Sequence, residues 1–169
     1  MARIEVPGGP GGEAATAWTG RPPMDVMVET MVGTVAGRSI LPAAEREPAR
    51  MRIAQLDACG ACATDRAPSV VVATGVDEDD DRHLHEYRDH PGDTERRRLA
   101  VDFAEGFATD HAADHAVDHA TDHGALVDRL RRAFADEETL DRTLCVAVDL
   151  GVGRAPAVLG IDEHAPDEA

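Results

Sequence analysis

A chain of 169 residues has room for one ordinary domain with a real core, and its 43% hydrophobic content is too high for an acidic protein disordered over most of its length. The charge is lopsided: 33 acidic residues against 17 basic ones leave a net of −16, every basic residue is Arg, and Asp outnumbers Glu. So negative a surface repels phosphate and argues against binding DNA, RNA or anionic lipid.

An Asp-covered surface of this kind is expected of a folded protein in a salt-rich cytoplasm, where it stays hydrated and screening relieves self-repulsion. Only five residues are aromatic, and Ala and Val supply much of the apolar content, so a single core gains little per residue. Association between copies is one way to make up the difference.

Taken in chain order, residues 1–23 are rich in Gly and Pro and read as an extended N-terminal arm. "MARIEVPGGPGGEAA" lacks the apolar centre of a signal peptide, and no apolar run approaches the ~20 residues of a membrane span, so a cytoplasmic location is expected. Residues 23–36 place Met24, Val26, Met27, Met31, Val32 and Val35 at helical intervals. A second helix follows over 39–59, with Ser39 as a cap near Pro42; Pro48 requires either a start near Arg46 or a kink.

"SVVVATGV" (69–76) is read as a helix despite its β-branched residues, because it is short and has no partner strand. Residues 77–93, opening on "DEDDD", read as a polar connection. Thr94 then opens a helix carrying Leu99, Phe103 and Phe107 at i, i+4 spacing. Residues 124–138 carry Leu126, Leu130 and Phe134 in the same way, and Asp136 serves as N-cap of a last helix to Ile161. The expected fold class is all-α: one helical domain over 24–162, then an acidic tail over 163–169.

A tandem repeat, "TDHAADHAVDHATDHG", occupies 109–124. Its His111, His115, His119 and His123 stand at i, i+4 spacing, so neighbouring pairs on a helix would chelate Zn²⁺, Ni²⁺ or Cu²⁺, with Asp110, Asp114, Asp118 and Asp122 as outer ligands. The plainer reading is a repeat expansion in a solvated, Ala-rich segment. His83, His85 and His90 fall in the acidic connection and receive no role.

Cys59 and Cys62 form a C-x-x-C pair, which in a cytosolic protein is more often catalytic or metal-binding than a structural disulfide. Three readings stand: a redox couple, a zinc half-site completed across subunits, or two small buried residues. No second C-x-x-C or H-x3-5-H stands at finger spacing. Cys145, inside "TLCVAVDL", reads as core packing. On a helix the pair are i, i+3 neighbours, able to join if the first turn adapts, and a position near a helix N-terminus lowers a thiolate pKa.

Read from Glu47, the pattern is E-x11-C-x-x-C led in by "RMRIAQL", which resembles the carboxymuconolactone decarboxylase superfamily, in its alkylhydroperoxidase D-like (AhpD-like) branch. The resemblance continues through "TERRRLAVDFAEGFATDH", "ALVDRLRRAFADEETLDRTLCVAVDLGVGR" and "APAVLGID", covering most of 24–162, with the repeat looking inserted. It implies an all-helical trimer or hexamer that needs no cofactor and acts as a peroxidase or disulfide oxidoreductase on a hydroperoxide or a dithiol. Cys62 would attack, Cys59 would resolve the product as a disulfide, and Glu47 would belong to a proton relay.

The relay histidine of that branch stands four residues after the second cysteine, where this chain has Arg66, and Gly60 and Ala61 fill the gap between the cysteines. Arg66 suits either a thiolate partner or an ion pair. As a partner it would stabilise a thiolate but could not pass protons, because its pKa is above ~12. Thiol–disulfide exchange survives such a change better than peroxide reduction.

Glu47 and Cys59 are twelve residues apart, a rotation of about 120° beyond whole turns, so a break must intervene if the carboxylate is to reach the thiols. The competing functions are a lactone decarboxylase-like enzyme, for which a cysteine pair is not needed, and a non-enzymatic oligomer that binds metal through the repeat.

Overall fold

The computed structural model describes residues 3–7, 16–64, 82–109 and 123–161. The expectations for the helix over 69–76, the acidic run at 77–81, Arg66, His111, His115, His119 and the acidic tail lie outside the described residues. The described chain is all-helical: α1 (Pro22–Arg38), α2 (Ala43–Leu56), α3 (Gly60–Thr64), a 3₁₀ turn (Leu84–Glu86), α4 (Glu95–Thr109), α5 (His123–Ala133) and α6 (Asp136–Leu159), with no strand among the described residues. No helix among them is long and apolar enough to cross a membrane.

Helix α2 is the central element, packed on α4 and on α6; α1 lies against α6, and α5 touches both α4 and α6. The i, i+4 stripes predicted from the sequence form the core. Leu99 and Phe103 of α4 meet Leu126 and Leu130 of α5, Ala49 and Ile53 of α2, Val146 and Leu150 of α6, and Phe134 from the link between α5 and α6. Phe103 and Phe107 approach to 5.8 Å between ring centroids, within the range of favourable aromatic pairs. Thr94 caps α4 as expected: its Oγ1 accepts the Arg97 N–H at 3.2 Å.

Several expectations need correction. The N-terminal arm is shorter than 1–23, because helix α1 starts at Pro22, and Arg3 ties the arm to the end of α6 by donating to the carbonyls of Leu159 and Val158. No residue of α1 is buried; Val26 and Met27 are more than 60% exposed. The polar connection contains two core residues, Leu84 and Tyr87, which pack with Met51 and Val101. Asp136 is the first residue of α6 rather than its cap; Glu138 satisfies the orphan amide instead by accepting the Ala135 N–H at 2.8 Å.

Pro48 neither starts nor breaks α2, which begins at Ala43 and runs through it. The proline deprives the Ala44 carbonyl of its usual donor, but Ala44 is exposed, so water can take that role. Ser39 caps no helix N-terminus. Its hydroxyl donates to Asp141 Oδ2 and accepts the Leu41 N–H, pinning the α1–α2 turn to α6.

Helices α2 and α6 end in the same Schellman motif. Cys59 N–H donates to Ala54 O and Ala58 N–H to Gln55 O; Ile161 N–H donates to Pro156 O and Gly160 N–H to Ala157 O. The left-handed position is Gly160 in α6 (φ 64°) but Ala58 in α2 (φ 50°), where a methyl group carries a steric cost. Ala58 is exposed, so Ala58→Gly relieves that cost at no loss of packing. After the greater chain entropy of glycine is subtracted, a gain of about 0.5–1 kcal/mol is expected in chemical denaturation. A lower denaturation midpoint would contradict it.

The first turns of α2, α4 and α6 converge on an ion cluster. Glu45 accepts from Arg96 Nε at 2.7 Å and from Arg142 Nη2 at 3.2 Å, and Arg96 also pairs with Glu138 at 2.7 Å. Both guanidinium groups lie over the Phe134 ring, at 4.1 and 4.2 Å from its centroid. Arg142 is 1% exposed, and burial holds its pKa below the usual arginine range.

Candidate redox site

The Schellman turn places the cysteines. It ends α2 at Leu56, reverses the chain through Ala58, and delivers Cys59 to the position just before α3. Cys59 acts there as a cap: its Sγ accepts the Cys62 N–H at 3.2 Å, and its carbonyl accepts the Ala63 N–H. Cys59 and Cys62 are joined as a disulfide, their Cα atoms 5.2 Å apart. The break required between Glu47 and the cysteines is this turn.

The two sulfurs are not equivalent. Cys59 is 1% exposed, whereas Cys62 is half-buried and lines a cavity of about 290 Å³ between α1, α2 and α6. A Cβ built on Gly153 of α6 would stand 3.4 Å from Cys62 Sγ, at van der Waals contact, so the sulfur lies against that helix. Val32, Val35 and Ala36 supply the α1 wall.

Glu47 lines the same cavity and is 5% exposed. Both of its oxygens accept from Arg50, Oε2 from Nε at 3.0 Å and Oε1 from Nη2 at 2.7 Å. Arg50 also donates from Nη1 to the Cys62 carbonyl at 2.6 Å, tethering α3 to α2. Two of the four expected site residues, Glu47 and Cys62, therefore share one cavity, with Cys59 bonded behind. Arg66 and three of the repeat histidines lie outside the described residues, and His123 is placed only as the first residue of α5.

The sequence reading missed Arg50 and Asp149, which line the cavity with them. The signal for Arg50 was its place three residues after Glu47. The signal for Asp149 was an acid amid the apolar "CVAVDLGVG", one turn before Gly153. Burial pushes the Asp149 carboxyl up to about 6, against the pull of Arg50 and Arg46 and with a push from Glu47. Cys145 is buried, as core packing predicts, and burial raises its thiol pKa, yet it also borders the cavity, with Sγ 3.7 Å from Ser39 Oγ. Asp57, two residues before Cys59, is raised by burial and faces Arg154 at 3.6 Å.

Among the described residues no group of three or more His, Cys, Asp or Glu is arranged to hold a metal ion. His83 and His90 lie 5.3 Å apart between ring centroids, tilted by 35°, and His85 is an exposed neighbour of Glu86. No protein-family profile matches the chain, and a comparison with curated proteins found no match.

Proposed function

We propose that the chain is a thiol-dependent peroxidase or disulfide oxidoreductase of the alkylhydroperoxidase D-like type, in which Cys62 attacks and Cys59 resolves. The observation that carries this reading is the asymmetry of the bonded pair: one sulfur borders a cavity and the other is sealed behind it. An attacking thiolate must meet its substrate, while a resolving thiol needs only to meet its partner.

In the oxidative half, the Cys62 thiolate attacks the terminal oxygen of a hydroperoxide. An S–O bond forms, the O–O bond breaks, and the alkoxide leaves as alcohol after taking a proton. Cys59 then attacks the sulfenic acid; the S–S bond forms, the S–O bond breaks, and hydroxide leaves as water with the Cys59 proton. An external dithiol returns the two electrons and two protons by exchange through a mixed disulfide on Cys62. Arg50 has a positioning part in this scheme, since it holds the Cys62 carbonyl and fixes the Glu47 carboxylate.

The reading includes self-association into a trimer or hexamer. The apolar face of α1, with Met24, Val26, Met27 and Met31 exposed, supports it as a surface that another copy would cover. Consumption of an organic hydroperoxide with dithiothreitol as reductant, in high salt, tests the chemistry. Turnover by the wild-type protein that disappears on Cys62→Ser is expected, and equal rates for the two would remove the peroxidase reading.

A further inference from the structure

The redox chemistry requires a group that takes a proton from the Cys62 thiol and gives one to the departing oxygen. The position where the resemblance places a histidine holds Arg66, which cannot do this at any ordinary pH. Glu47 is poorly suited as well, since Arg50 occupies both of its oxygens in a forked ion pair.

We propose that Asp149 of α6 is the proton-exchanging group of the Cys62 cavity. It projects from the same face of α6 as Gly153, the residue against which Cys62 Sγ rests, one helical turn away. Burial and charge set its ionisation, and among the described residues no hydrogen bond to its carboxyl contributes. The cavity of about 290 Å³ is large enough for water to bridge the carboxyl and the sulfur.

Among the described residues, the charged and titratable groups around Asp149 are Arg46, Glu47 and Arg50 from α2, Cys62 from α3 and Cys145 from its own helix, while α1 contributes Val32, Val35 and Ala36. Burial and these neighbours poise the carboxyl at about 6, where it can both lose and regain a proton at neutral pH.

The proton balance closes on the chain's own atoms. The Asp149 carboxylate takes the proton of the Cys62 thiol, giving a thiolate and a carboxylic acid. The thiolate displaces alkoxide from the hydroperoxide, leaving the sulfenic acid, and the acid returns its proton to the alkoxide as alcohol. Asp149 ends as it began, so one carboxyl replaces a histidine relay.

This inference rests on the redox reading, and one experiment separates the two. The rate of the reduced full-length protein with cumene hydroperoxide is followed from pH 4.5 to 9 (a range of about one and a half units or more on each side of the carboxyl) for wild type, Asp149→Asn, Asp149→Glu and Asp57→Asn. Wild type is expected to lose rate as pH falls through about 6. Asp149→Asn should lack that limb and run about 10²-fold slower on the plateau, while Asp149→Glu keeps a limb.

A thermal melt checks folding and the sign of the ionisation. A carboxyl raised by burial makes the folded state bind more protons, so wild-type stability falls as pH rises from the ordinary carboxylate range through about 6. Asp149→Asn should therefore melt above wild type at pH 8, by a margin that shrinks steadily as the pH falls toward 4.5. Wild-type rate and limb retained by Asp149→Asn would overturn the inference alone, as would a limb that only Asp57→Asn removes. A wild-type protein inert to hydroperoxide would overturn the redox reading and this inference together.

Discussion

Glu45→Ala should lower the melting temperature by about 6–20 °C, the largest single loss expected outside the cysteines. Among the described residues Glu45 is the carboxylate that Arg142 contacts, and Arg142 is 1% exposed, with its Nε and Nη1 lacking hydrogen-bond partners. Removing the carboxylate leaves a buried cation without the counter-charge in contact with it, a change that costs about 3–5 kcal/mol. In a chain of this length each kcal/mol corresponds to roughly 2–4 °C.

The same reasoning predicts partial rescue. Arg142→Met in the Glu45→Ala background removes the stranded charge and should recover a substantial part of the loss, because an apolar replacement of a buried ion pair is close to neutral. Since the pair is shielded from solvent, molar salt should leave the single-variant loss largely unchanged. A double variant less stable than Glu45→Ala would show that the charge is not the source of the effect.

The second large effect is an asymmetry between two substitutions that each delete one sulfur of the same bond. Cys62→Ser removes the sulfur at the cavity and should reduce hydroperoxide turnover at least ~10³-fold. Cys59→Ser should also stop multiple turnover, but only after one event, because Cys62 can still be oxidised and its sulfenic acid then has no resolving thiol. A sulfenic acid-selective dione should add its mass to Cys62 in Cys59→Ser treated with one equivalent of peroxide, and leave Cys62→Ser unlabelled. Labelling of Cys59 in Cys62→Ser would reverse the assignment of roles, and label on neither would remove it.

How much of this was legible in the sequence depended on side-chain size. Leu99, Phe103 and Phe107, like Leu126, Leu130 and Phe134, announce α4 and α5 because large apolar residues at helical spacing, set among charged ones, mark the buried stripe of a helix. The same spacing in α1 foretold a helix but not its environment, since Met and Val at i, i+3 and i+4 look alike whether the face they form is covered or bare. Leu84 and Tyr87 were hidden by their charged neighbours, which turn outward from a tight 3₁₀ turn that no periodicity marks.

The cysteine pair was readable as a candidate couple from its spacing, and the need for a break before it followed from helical geometry. What made the break, an alanine in a left-handed conformation, was not readable, because alanine is a strong helix former and glycine or asparagine is the usual residue there. Asp149 was one acid among 33 until the fold set it in the cavity that Cys62 lines.

The placement of α1 has a consequence for how substrates arrive. This helix walls the cavity with Val32, Val35 and Ala36 yet contributes no side chain to the core, so its detachment sacrifices little burial compared with that of any other long helix. Within one protomer, the door to the thiols is thus hung on the least buried of the long helices among the described residues. In a dissociated protomer, amide protons of α1 should exchange with deuterium well before those of α2 and α4, and a bound occupant bridging α1 to α6 should slow that exchange first.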